Sequence, residues 1–319
     1  MIGALLLVAA AALLVGGAEL FVENAAGAGR KLGLTTLAMG LLLAGAEPEE
    51  LITAVIAAVR NRPGLAVGDA VGANITMLTA CLGLAALARP LPVGRRVRSY
   101  AVMSAAASLL ALAALADGRV GRLEGAGLLA GYALLVAAVW RREKAPPALG
   151  ELAELEAEAE HHGDAFAGDR AGSHRSAAMG LGLALVGVAM MTAGGEAAVE
   201  GAIRVVKALG LEDTAVGLTI LALATTVELF ALLAAALRRG ATEIAVAGVV
   251  GSATYNATAT LGAAAVAAPL RTDAALAPVV LAAALPFALL ALTPRGVLPR
   301  WAGGLLVLVY AAFVVLVFS

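Results

Sequence analysis

Ten apolar runs, each long enough to cross a bilayer as a helix, occupy most of the chain: they lie near residues 2–22, 33–59, 65–88, 99–116, 123–140, 177–203, 213–237, 244–268, 274–293 and 301–318. A hydrocarbon core about 30 Å thick takes about 20 helical residues, and within lipid only helices and closed barrels satisfy their own backbone. The runs are built of Ala, Leu, Val and Gly and lack the alternation of an outer-membrane barrel. They predict an all-α membrane protein with ten transmembrane helices. Composition agrees: 61% of the 319 residues are hydrophobic and 14% charged, and mean hydropathy is +0.94, outside the range of soluble domains. The first run has no basic segment ahead of it and continues into Gly17-Ala18-Glu19-Leu20-Phe21-Val22-Glu23, so it reads as a retained helix rather than a cleaved leader. A net charge of −1 without a basic patch argues against a nucleic-acid partner. The lone cysteine, Cys81, reads as a buried apolar filler.

One long polar stretch, 141–176, divides the chain into a first unit, 1–140, and a second, 177–319. Its Glu151, Glu154, Glu156, Glu158 and Glu160 suit a solvated linker. His161, His162 and Asp164 are metal-ligand types, but their spacing matches no specific site. Of the 22 Lys and Arg, 15 fall on the side of this loop and 7 on the other. The positive-inside rule then predicts a multi-pass protein of the cell (inner or plasma) membrane, with both termini extracytoplasmic and the 141–176 loop cytoplasmic.

The two units repeat each other. Gly17 and Val22-Glu23 match Gly194 and Val199-Glu200 at an offset of 177; Glu50-Leu51 matches Glu228-Leu229 at 178; Val71-Gly72 and Leu82-Gly83 match Val250-Gly251 and Leu261-Gly262 at 179. Each copy holds five spans. An odd number sends the second copy into the membrane from the opposite face, which predicts two inverted-topology five-helix repeats, the architecture of secondary transporters with midplane sites.

The repeat also pairs acids that lipid makes costly. Gly45-Ala46-Glu47-Pro48-Glu49-Glu50-Leu51 in the second run and Ala224-Thr225-Thr226-Val227-Glu228-Leu229 in the seventh both place carboxylates at bilayer depth, where a charge costs at least about 2.5–3.5 kcal/mol. Acids kept there serve a cation or a proton. Pro48 removes a backbone donor and should break the second span beside Glu47, Glu49 and Glu50. Glu50 and Glu228 each precede an Arg by ten residues, Arg60 and Arg238, so they lie at similar depth measured from opposite faces.

These segments carry a family resemblance. Glu50-Leu51-Ile52-Thr53-Ala54-Val55, continuing through Leu65-Ala66-Val67-Gly68-Asp69-Ala70-Val71-Gly72-Ala73-Asn74, resembles the first alpha-repeat of the calcium/cation antiporter superfamily, which includes sodium/calcium and calcium/proton exchangers. Ala224 to Leu229 and Ile244 to Ser252 resemble the second. The repeats would span about 40–84 and 217–263. The resemblance implies a cation antiporter that works by alternating access, most often moving Ca2+ against H+ or Na+, with the bilayer and inorganic cations as its partners and no resident cofactor. It implies that Glu50 and Glu228 are the central metal-binding carboxylates. Glu47 and Glu49 would be further acids at the site, Thr225 and Thr226 oxygens on span seven, and Ser252 and Asn256 oxygens one turn apart on span eight. Hard cations want such an all-oxygen set.

The first half departs from this pattern. Where the family has Ser and then Asn or Asp one turn later on span three, Ala73 and Met77 offer no hard oxygen, while Glu47-Pro48-Glu49-Glu50 brings extra acids. Either Glu49 or Glu50 could take the central role; Glu50 keeps the family spacing to Gly72. Oxygens lost and acids gained favour proton coupling, because carboxylate pKa values move with desolvation and like-charge neighbours; sodium is the alternative. Glu19, Glu23, Glu196 and Glu200, in pairs spaced by four, suit either interfacial solvation or an ion pathway. Asp69 and Asn74 suit capping or packing at the start of span three, or ion contact, and Thr76, Thr79, Thr258 and Thr260 suit back-bonding to the helix. A non-transporting sensor or scaffold on a degenerate exchanger fold is the competing reading. No HExxH, Gly-x-Ser-x-Gly or phosphate-binding loop supports an enzyme. Association into a homodimer is left open.

Overall fold

Runs of Ala, Leu and Val at lipid depth leave the backbone no partner but itself, and in the computed structural model they are helices. The structure describes residues 2–31, 47–143, 177–239, 242–271 and 276–319. In chain order these form α1 (Ile2–Lys31), α2 (Pro48–Val59), α3 (Pro63–Thr76), a π turn π1 (Met77–Cys81), α4 (Leu82–Ala88), β1 (Leu91–Pro92), α5 (Arg95–Ala114), β2 (Arg119–Val120) and α6 (Arg122–Glu143). The second half holds α7 (Ala177–Leu209), α8 (Asp213–Val216), π2 (Gly217–Leu221), α9 (Ala222–Thr225), α10 (Val227–Arg239), α11 (Thr242–Tyr255), π3 (Asn256–Thr260), α12 (Leu261–Ala267), β3 (Leu270–Arg271), α13 (Leu276–Leu292), β4 (Val297–Leu298) and α14 (Arg300–Val317). Among the described residues six helices are long and apolar enough to cross a membrane, and the bent pair α8–α9 with α10 makes a seventh. The second expected span is described only from Glu47, and α13 is a shorter apolar helix of 17 residues. The linker expected at 141–176 lies almost wholly outside the described residues.

The two halves reproduce one another beyond hydropathy. α3, π1 and α4 are 14, 5 and 7 residues long, and so are α11, π3 and α12; they begin at Pro63 and Thr242, 179 residues apart. Both composite helices end for one reason. Pro90 and Pro269 force the preceding Arg89 and Ala268 into extended backbone, with φ of −151° and −147°.

The short strands that follow qualify the all-helical expectation. β1 pairs antiparallel with β4, Leu91 opposite Leu298, and β2 with β3, Arg119 opposite Arg271. The first strand of each half thus meets the second strand of the other. Helices cross over in the same way: α4 packs on α14 and α12 on α6. Bare glycine backbones meet at both contacts. A Cβ on Gly303 would lie 2.8 Å from the Gly83 carbonyl oxygen, and one on Gly262 would lie 2.8 Å from that of Gly125, the small-residue packing that draws membrane helices together.

The interior belongs to the composite helices. Of an 18-residue stretch within Pro63–Ala88, 89% of the residues are buried, against 22% for Arg300–Val317; α11 is buried from Ile244 to Tyr255. α1 and α7 lie along each other, with Gly187 seated on the Gly17 carbonyl. α3 is held backbone to backbone against π2, where a Cβ on Gly72 would fall 2.3 Å from the Leu218 carbonyl oxygen.

Candidate functional site

Two helix ends put the acids in place. α2 begins at Pro48, whose missing N–H costs nothing at the first helical position. Glu47 therefore stands at the helix entrance, with Glu50 three residues on along the same face. In the second half the break comes without proline. The axis bends by 42° between α9 and α10, at Thr226, whose φ and ψ are −90° and 4°. The hydroxyls of Thr225 and Thr226 both donate to the Ala222 carbonyl, at 3.1 and 2.7 Å, which draws the turn away from regular helix.

Glu47, Glu49, Glu50, Asp69, Asn74, Thr225, Thr226, Ser252 and Asn256 are all buried, none more than 3% exposed. The Glu47 carboxyl faces Ser252, Asn256 and Glu50. The Asn256 amide donates towards Glu47 Oε2 at 3.5 Å, and its Oδ1 accepts the Thr260 hydroxyl at 3.0 Å. To present oxygen to a cation this amide would turn over, with Thr260 exchanging its donor for a lone pair. Glu50 stands against Glu47, Asp69 and Asn256, with both its carboxyl oxygens enclosed. A cavity of about 10 Å³, bordered by Asn74, Ser108 and Asn256, opens beside the amide. Among the described residues no three of His, Cys, Asp and Glu stand close enough to hold a metal ion by themselves; the oxygens that complete the surroundings of Glu47 and Glu50 are the hydroxyl and amide of α11 and π3.

Glu49 points away from this face, as one residue's rotation along the helix requires, and lies near Tyr255, which meets Tyr132 edge to face at 5.5 Å. Glu228 is in the first turn of α10, half-buried, with Oε1 enclosed. The carboxyl that the structure sets closest in role to Glu50 is Glu47, an arrangement that the repeat pairing of Glu50 with Glu228 does not predict.

Asp69 and Asn74 do not cap α3, whose N-cap position is Arg62. Both reach the other half: Asp69 Oδ1 accepts the Thr225 hydroxyl at 3.1 Å, and the Asn74 amide donates to the Ala253 carbonyl at 3.1 Å. Asn74 and Ala253 are themselves repeat equivalents, 179 apart. Thr79 and Thr258 bond back to their own helices, to Ile75 and Thr254, whereas Thr260 serves Asn256 and Thr76 has no hydrogen-bond partner. On the periphery Arg60 joins α2 to α7 through Glu196 at 2.6 Å and Glu200 at 3.5 Å, and Arg204 braces Glu200 at 2.8 Å. Glu19 is exposed; the side chain of Glu23 lies outside the described residues.

The charge inventory decides the chemistry. Among the described residues the buried set holds four carboxyls, Glu47, Glu49, Glu50 and Asp69, and no Lys, Arg or His. A buried carboxylate without countercharge stays ionised only at a cost of several kcal/mol, so such a group either keeps a proton or is balanced by a cation.

The chain is similar to known proteins along most of its length. The family described as sodium/calcium exchanger protein matches residues 2–141 and 179–319. CaxA of Alkalimonas amylolytica is 30% identical over 269 residues, 83% of this chain and 81% of CaxA. The inner membrane protein YrbG of Escherichia coli is 28% identical over 81% of this chain and 77% of its own length. A solved structure of the sodium-calcium exchanger NCX_Mj matches with a TM-score of 0.63 and 20% identity, covering 99% of both chains. At that identity it speaks for the fold alone.

Proposed function

The chain belongs to the sodium/calcium exchanger family, and we propose that it is a secondary cation antiporter that carries Ca2+ against H+, or against Na+, by alternating access across the cell membrane. The observation that carries this reading is the buried acid cluster, which has no buried base beside it among the described residues. A divalent cation taken between Glu47 and Glu50, with oxygens from Ser252 and Asn256 and with Glu228 joining from α10, supplies the missing charge and suits an all-oxygen set. Release follows when a competing ion neutralises the carboxylates from the other side. No resident cofactor or catalytic residue is assigned.

Two inverted five-helix repeats give the access. The 14-5-7 composite helices and the crossed strand pairs support that topology, which would bring the broken helices α2 and α9–α10 to the midplane from opposite faces. The termini are extracytoplasmic and the 141–176 loop cytoplasmic, on the basic-residue asymmetry. Extra acids and the apolar Ala73 and Met77 favour a proton as the coupling ion; kinship with sodium/calcium exchangers is the observation that keeps Na+ as a second reading.

Reconstitution in proteoliposomes tests this. Uptake of Ca2+, Mg2+, Mn2+ and Na+ is measured under an imposed pH or sodium gradient. Calcium entry driven by a pH gradient without sodium is expected; absence of cation flux under either gradient would return the chain to the sensor or scaffold reading.

A further inference from the structure

Asp69 has no counterpart in the other half, where the matching residue is Gly248. It lies mid-helix in α3, 1% exposed. Oδ1 accepts the Thr225 hydroxyl at 3.1 Å, while Oδ2 is enclosed and has no hydrogen-bond partner among the described residues. Thr225 has one proton and three acceptors in range, Asp69 Oδ1, the Leu221 carbonyl at 3.3 Å and the Ala222 carbonyl at 3.1 Å, so its lone pairs stay available to a cation. The elements that carry the pair cannot drift apart freely. A Cβ on Gly68 would sit 2.8 Å from the Leu218 amide nitrogen, and Gly72 is tighter still.

Charge and position give the pair a task. A divalent ion between Glu47 and Glu50 neutralises two carboxylates, and Asp69, which faces Glu50 from α3, is a further acid with no buried base to balance it among the described residues. Asp69 also precedes Ala73 by one helical turn, so its carboxylate lies on the face where the hydroxyl is missing. We propose that Asp69 and Thr225 form a second cation site beside the divalent one, taking a single monovalent ion, and that this is where the coupling ion binds. The proposal rests on the antiporter reading above.

The test uses the full chain in proteoliposomes and compares Ca2+/Ca2+ exchange without any gradient with net Ca2+ uptake in two arms: a sodium gradient at equal pH, and a pH gradient without sodium. Asp69→Asn is expected to lower gradient-driven uptake about tenfold more than Ca2+/Ca2+ exchange, within the range of coupling between two ligand sites. The arm that fails identifies the ion as Na+ or H+. Thr225→Val, which leaves α3 untouched, should shift the same ratio in the same direction by about threefold. Equal loss of both fluxes in the two variants would make Asp69 part of the divalent site or of the fold, and an unchanged ratio would make the contact merely structural; either result overturns the proposal. Absence of Ca2+/Ca2+ exchange in the unaltered chain would instead defeat the antiporter reading itself.

Discussion

The two halves of the molecule share a scaffold and differ in what they hang on it. In one half-site α2 presents Glu47 and Glu50 to Ser252 and Asn256 of α11 and π3. In the other, Thr225, Thr226 and Glu228 belong with the equivalents of those partners, Ala73 and Met77, which carry no oxygen. Even the π turns coincide, Met77 opening π1 where Asn256 opens π3. A backbone duplication therefore repeats the positions, and side chains decide which half carries oxygens there. The asymmetry is filled from another direction, by Asp69 reaching Thr225.

The largest expected effect comes from the central acids, Glu50 of the oxygen-rich half-site and Glu228 of the other. Glu50→Gln should reduce Ca2+ flux about a hundredfold or more, since truncation within a buried charge pair costs about 2–5 kcal/mol; Glu228→Gln is expected to abolish exchange as well. A variant that lost Glu228 function but kept Glu50→Gln active would reverse the ranking of the halves. Next is the copying of one half onto the other. Asn256→Met gives the second half the residue of the first, and the apparent affinity for Ca2+ should fall about 10–100-fold. The reciprocal pair Ala73→Ser with Met77→Asn adds oxygens and should raise sodium dependence of uptake, measured as flux against sodium concentration. Scaffold changes should not discriminate. Gly303→Ala and Gly262→Ala crowd equivalent carbonyls at the same 2.8 Å, and each should lower stability by about 1–3 kcal/mol, read from thermal unfolding in detergent. The smallest effect belongs to the rim. Glu196→Gln removes an ion pair with Arg60 whose side chains are 45% and 39% exposed, so its cost should stay within about 1 kcal/mol.

Most of the scaffold could be read from the residues, because lipid forces apolar length into helix and a duplicated chain repeats its glycines. Pro48 announced the entrance of α2, and Glu47, Glu50, Ser252 and Asn256, which the sequence offers as candidates, come together in the structure. Three things were not legible. The π turns add a residue to a helical turn without disturbing hydropathy, so Met77-Leu78-Thr79-Ala80-Cys81 looks like its neighbours. The crossed strands are two residues long, too short to alternate, with Pro90 and Pro269 their only local signal. The partner of Asp69 is 156 residues away, and nothing local distinguishes a mid-helix Asp that caps from one that reaches across; pairing it with the unmatched Gly248 is the comparison that singles it out.

The central claim is that α2 and α11 hold a divalent cation between Glu47, Glu50, Ser252 and Asn256. Equilibrium binding of radioactive Ca2+ to the purified chain, set beside Glu50→Gln and Asn256→Met with thermal unfolding as the check on folding, tests it most directly. Saturable binding by the unaltered chain, lost in Glu50→Gln and weakened in Asn256→Met while both unfold as before, is the predicted result; undiminished Ca2+ binding by a folded Glu50→Gln would contradict it.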